Sequence, residues 1–132
     1  QESIGSLMQS RGVDAISGTH PHYVQTMDYD TDAGTFVAYS LGDFISNGDR
    51  SGTEYSVVLK LEITKNGSVT KITDYSYIPV FTVAERGSNL RCVRIAESMT
   101  AYDGKYILRV NEETYGDMDY ALTRIEARIK GE

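Results

Sequence analysis

The stretch "EYSVVLKLEITKNGSVTKITDYSYIPV", Glu54 to Val80, constrains the fold more than any other part of the chain. Tyr55, Val57, Leu59, Leu61 and Ile63 recur at every second residue and so share one face of an extended strand. Asn66-Gly67 follows, the residue pair whose backbone best suits a tight hairpin turn. "VTKITDYSYIPV" is then the return strand, expected to close at Pro79, which has no N–H to donate to a ladder. The centre of the chain is therefore an antiparallel hairpin.

On the N-terminal side, "ESIGSLMQSRG" predicts a short helix with Ile4, Leu7 and Met8 on its apolar face and Gly12 as its stop. "VDAIS" predicts a short buried strand. Helix, tight turn, strand and polar loop follow the grammar of an α/β unit, in which ligands bind beyond the strand's C-terminal end. "YVQTMDYD" and "TFVAYSL" predict two strands joined through the turn-rich "DTDAG". "LGDFISNGDRSGT" predicts a long loop of the kind that carries function, with Phe44 as an apolar anchor into the core. "NLRCVRIA" predicts another strand, with Cys92 as a small core residue. From Asn111 onward a capped helix is expected: Glu112 and Glu113 suit its first turn, and Met118, Leu122, Ile125 and Ile129 form an apolar stripe. The fold class is α+β, a mostly antiparallel meander with flanking helices, forming a single domain over residues 1–132.

The 132 residues suffice for one compact domain. A net charge of −6, with scattered Lys and Arg, argues against a nucleic-acid partner. The densest basic cluster, Arg86, Arg91 and Arg94, suits either an anionic substrate or a strand with solvated charges. The single cysteine excludes an internal disulfide and a cysteine-based zinc cluster. No apolar run approaches the roughly 20 residues of a membrane span, and no secretory signal precedes the first helix. A start at Gln1 suggests a processed chain or a fragment.

Both histidines of the chain, His20 and His22, flank Pro21 in "SGTHPHYVQ". Proline restricts its own φ and the residue before it, so an extended "HPH" is expected, with both imidazoles on one side. Such a pair fits one metal ion or two neighbouring ions, and equally a solvated loop, since two ligands do not make a site. Gly18 would let the backbone approach closely. A metal centre would need carboxylates to complete it. "YSLGDFISN" is the second constellation, where Asp43 can ligate a metal, orient a histidine, bind substrate, or simply form a turn. Tyr39, Ser40 and Asn47 are candidate substrate contacts beside it, and Asp49 is a further polar group.

The two constellations together resemble the bacterial capsule synthesis protein CapA family, associated with poly-γ-glutamate capsule production. Gly18, His20, Pro21 and His22 match its Gly-x-His-Pro-His segment. Tyr39, Ser40, Leu41, Gly42 and Phe44 match its Tyr-Ser-Leu-Gly-Asn-Phe segment, with Asp43 in place of the usual asparagine. The resemblance implies a fold like the calcineurin-like metallophosphoesterases, with His20 and His22 as metal ligands and catalytic residues together with Asp43. It implies divalent Mn, Fe or Zn as cofactor, and a phosphoester substrate or an anionic surface polymer. It also implies that the other ligands lie upstream, so this chain is expected to be the C-terminal part of such a domain. Its implied partners are then the missing N-terminal half of the same domain and other capsule synthesis components. Alone it is expected to be inactive and to self-associate through the face it leaves uncovered. An extracellular or membrane-anchored location follows from the resemblance only. A non-catalytic, polymer-binding role is the alternative.

Overall fold

The computed structural model describes residues 1–47, 50–84, 89–105 and 110–132. In order, the elements are α1 (Glu2–Ser10), β1 (Ala15–Ser17), β2 (Met27–Asp30), β3 (Thr35–Ala38), β4 (Tyr55–Asn66), β5 (Val69–Ala84), β6 (Leu90–Arg94), α2 (Ile95–Asp103) and α3 (Glu112–Lys130). They form two three-stranded sheets, ordered β1-β3-β2 and β4-β5-β6. β1 runs parallel to β3, and every other strand pair is antiparallel. This is an α+β fold, as the sequence pattern requires.

The β2–β3 hairpin turns where Asp30 Oδ1 accepts from the backbone N–H groups of Asp32 and Ala33, at 2.9 and 2.8 Å. That side-chain capture is why an aspartate opens the turn. Beyond the strands the pairing continues, through the Val24–Leu41 bridge and the Gln25 N–H to Ser40 carbonyl bond. The two sheets are stitched by the Val57 N–H to the Leu41 carbonyl and the Ile72 N–H to the Gly34 carbonyl. Tyr29 adds a third tie, donating from its hydroxyl to the Ile72 carbonyl at 3.1 Å.

β4 and β5 pair from Tyr55–Phe81 to Asn66–Val69, as the alternation and Asn66-Gly67 predict. A register shift between Glu62 and Ile63 leaves Thr73 as the extra residue on β5. It places Ile72 on the same face as Tyr75, and Ile72 is buried as a result. Ile63 shares that face but lies past the core and is exposed. β5 does not close at Pro79; it runs on to Ala84. The ladder explains this. Val57, opposite Pro79, sends its N–H to Leu41 rather than to β5, and β6 pairs only from Val80 onward. No ladder bond needs the missing proline donor, so the strand tolerates it.

One core cluster draws Phe36 and Ala38 from β3, Tyr55 and Val57 from β4, Phe81 and Val83 from β5, and Met118, Ala121, Ile125 and Ile129 from α3. The predicted α3 stripe is thus the buried face of that helix. Asn111 caps it, its Oδ1 accepting from the Thr114 N–H at 2.8 Å, a bond that contributes about 1 kcal/mol. Three readings of the sequence change. The strand over "NLRCVRIA" ends at Arg94, because the fully buried Ile95 opens α2. β1 is too short to be buried, and only Ile16 is partly covered. α1 forms as expected, but its Ile4, Leu7 and Met8 stay exposed and only Gly5 is buried, against Tyr39. Among the described residues no helix is long and apolar enough to cross a membrane.

Candidate functional site

β1 continues past Ser17 along β3: the Gly18 N–H donates to Ala38 O and the Leu41 N–H to Gly18 O. A Cβ at Gly18 would land on the Tyr39 carbonyl oxygen, so only glycine permits this approach. The chain then reverses. The Thr19 carbonyl accepts from the His22 N–H at 3.0 Å, and His22 takes a left-handed φ of 64°. The expected extended "HPH" is therefore a turn. Pro21 restrains itself and His20 but leaves His22 free, and one backbone bond decides the rest.

The reversal separates the two histidines. His20 lines an apolar cavity of about 160 Å³ with Ile4, Met8, Ile16 and Val37. His22 lines a polar cavity of about 180 Å³ with Asp43, Ser46, Asn47, Arg50 and Thr53. His22 Nδ1 and Asp43 Oδ1 are 2.7 Å apart, a donor–acceptor pair that fixes the ring. The pair is accessible, with the side chains 55% and 27% exposed, so it adds little to stability and is free to meet a ligand.

Asp43 reaches this position because Gly42, at φ 80°, turns the chain out of the sheet, and a Cβ there would crowd Ser56. The same turn carries Phe44 outward. Phe44 is 61% exposed and is not the core anchor expected of it. It lines, with Asp43, Thr19, Leu41 and Val58, a larger cavity of about 630 Å³. Asp43 thus stands between a polar cavity and a mainly apolar one.

Of the expected substrate contacts, Asn47 lies in the cavity with His22 and Asp43. Ser40 is fully buried, its Oγ accepting from the Gly42 N–H at 3.3 Å. Tyr39 packs on Gly5 of α1, and burial followed by the charge of Asp28 and a hydrogen bond to it raises its pKa above the ordinary tyrosine value. Of the three arginines, Arg94 is bound to Glu97 at 2.8 Å, and Arg86 lies outside the described residues, as does Asp49. Arg50 is the basic residue that sequence reasoning passed over. It is the one cation between Tyr39 and Glu54, and that isolation within an otherwise polar loop was the available signal. The loop is held by Ser46 Oγ and Thr53 Oγ1, 2.9 Å apart, with Thr53 Oγ1 donating to Arg50 O at 2.8 Å.

Among the described residues no group of three or more His, Cys, Asp or Glu side chains gathers in metal-binding proximity. Comparison with known proteins gives a family and one relative. The family described as bacterial capsule synthesis protein PGA_cap matches residues 1–48. The PGA biosynthesis protein CapA of Bacillus subtilis (strain 168) is 31% identical over 68 residues, which are 52% of this chain and 17% of that protein. The match therefore spans about a sixth of the relative's length. No solved structure matches the chain. Residues 1–48, which hold both motifs, are thus similar to the bacterial capsule synthesis protein family.

Proposed function

We propose that this chain carries one wall of the working site of a CapA-like protein that makes or exports an anionic polymer at the cell surface, with His22 at the centre of that wall. The observation behind this reading is the 2.7 Å contact between His22 Nδ1 and Asp43 Oδ1. A carboxylate on Nδ1 selects the tautomer and steadies the ring, the arrangement typical of a metal-binding imidazole. The fit to a metal is partial: one oriented imidazole reaches the polar cavity, and His20 lines another. A divalent Mn, Fe or Zn ion would need ligands beyond the described residues. When bound, such an ion supplies Lewis-acid polarisation of a phosphoester-like substrate. The chain's own groups hold and orient. His22 offers Nε2, Asp43 fixes the ring, and Arg50 supplies a positive charge for an anionic group. The exposed stripe of Ile4, Leu7 and Met8, next to the open edge strand β1, is covered in this reading by the rest of the domain.

A non-catalytic, polymer-binding role is the second reading. The separation of the histidines and the exposed Phe44 beside the larger cavity favour it. Metal analysis of the longest natural protein carrying this sequence distinguishes the two. Bound divalent metal is expected in that protein, largely lost in His22→Ala and retained in His20→Ala. Unchanged metal in His22→Ala would overturn the metal reading, and polymer binding by the metal-free protein would favour the second. The 132-residue chain alone is expected to self-associate. Light scattering that shows only monomer at high concentration counts against the covered face.

A further inference from the structure

The β4–β5 hairpin runs out beyond the core. Past the irregularity at Glu62 and Ile63, four residue pairs remain, from Ile63–Ile72 to Asn66–Val69. Ile72 is buried, while Ile63, Val69 and the residues between the outer pairs are exposed. The loop itself is Gly67 and Ser68. Gly67 has a φ of 61° and Ser68 does not share a positive value, the pattern of a II′ turn with glycine at its first position. In such a turn the N–H of the first loop residue points away from the ladder, and the Gly67 N–H has no backbone acceptor among the described residues. Nothing lies within 4 Å of the place a Cβ would take on Gly67. The Asn66 carboxamide stands beside this open nitrogen, exposed and without a side-chain partner among the described residues.

We propose that Asn66 is a site of spontaneous covalent modification, deamidation through a cyclic imide. The Gly67 nitrogen loses its proton and bonds to Asn66 Cγ. The bond from Cγ to the side-chain nitrogen breaks, and that nitrogen leaves as ammonia, taking up the proton. Water then opens the ring at either carbonyl. One opening gives aspartate; the other gives isoaspartate, whose main chain runs through Cβ and Cγ. Water is the only co-reactant. Glycine favours the attack because it has no side chain to shield its nitrogen. The fold sets the rate. While Asn66 is paired with Val69 at the end of β4, its extended backbone holds the Gly67 nitrogen away from Cγ. The ring closes only when this outermost pair opens, and a ladder end without core support opens at little cost. Isoaspartate adds one atom to the backbone beside a two-residue loop, which undoes the register of the outer pairs. Either product adds a negative charge to a chain already at −6.

The test incubates the full chain at neutral and mildly alkaline pH, native and in guanidinium chloride, and follows tryptic peptides by mass. A zero-time sample corrects for reaction during digestion. Trypsin releases residues 66–71 apart from residues 12–50, which hold Asn47-Gly48, the other Asn-Gly pair, whose Gly48 lies outside the described residues. Peptide 66–71 is expected to gain one mass unit and to separate into aspartate and isoaspartate forms, faster at the higher pH because the attacking nitrogen must be deprotonated. The native rate is expected within about a hundredfold of the rate in guanidinium, the mark of opening confined to the hairpin tip. A reaction that waits for global unfolding would be slower by about a thousandfold or more. Asn66→Gln is expected to abolish the gain while melting like the wild type. No gain at residues 66–71 in the native chain, a native rate more than a hundredfold below that in guanidinium, or a gain that persists in Asn66→Gln each overturns the site.

Discussion

Gly18→Ala is expected to cost the protein about 3 kcal/mol of stability, at the upper end of what forcing one extra carbon into packed structure does. The added Cβ falls on the Tyr39 carbonyl oxygen, which is backbone and has no rotamer to yield. Relief requires parting β1 from β3, because Gly18 bonds to Ala38 on one side and Leu41 on the other. The "HPH" turn begins at the next residue, so the strain reaches the site as well as the sheet. Thermal unfolding of the full chain should show a fall of roughly 10 °C. The His22 and Asp43 resonances should shift with it. A loss under about 1 kcal/mol would mean that the Tyr39 peptide moves aside freely, and that the close approach is not what holds the turn.

Phe36→Ala should cost about 4 kcal/mol, from lost burial and the cavity left behind. Phe36 is fully buried on β3, with its ring 4.8 Å from Tyr75 of β5 and 6.5 Å from Tyr29 of β2. It fills the space where the two sheets meet, and removing it loosens the seam that the Leu41–Val57 and Gly34–Ile72 bonds stitch. Phe44→Ala is the comparison. With Phe44 61% exposed, the change should move stability by no more than about 0.5 kcal/mol. Equilibrium denaturation of both variants checks the contrast. Equal losses would return Phe44 to the core.

The elements that were legible in the sequence are those with a strong local period. The β4–β5 hairpin follows from the alternation of Tyr55, Val57, Leu59 and Leu61 and from Asn66-Gly67. α3 follows from Asn111 and the stripe Met118, Leu122, Ile125 and Ile129, whose members are buried or half-buried. The α+β class comes from these two together. What misled was a local rule extended past its reach. Pro79 does not end β5, because β5 needs no donor at that point. The restraint Pro21 places on His20 does not extend to His22.

The family resemblance was also legible, because it rests on "GTHPH" and "YSLGDF" as strings, and the match over residues 1–48 contains both. The site's geometry was not. His22 meets Asp43 across 21 positions of sequence, through a turn set by one hydrogen bond and a glycine with positive φ. His20, two residues away, ends in a different cavity for the same reason. Arg128, at the far end of the chain, meets Tyr23 only because the α3 stripe packs on the sheets.

The sequence by itself determined the β4–β5 hairpin and α3, since side-chain period and turn residues act within a few positions of one another, whereas α2 and the full length of β5 came only with the fold. The tertiary structure alone decided which polar groups share a cavity and which aromatic ring faces solvent. Those outcomes depend on where the sheets meet and on single backbone bonds between distant residues, and no pattern of neighbouring side chains encodes them.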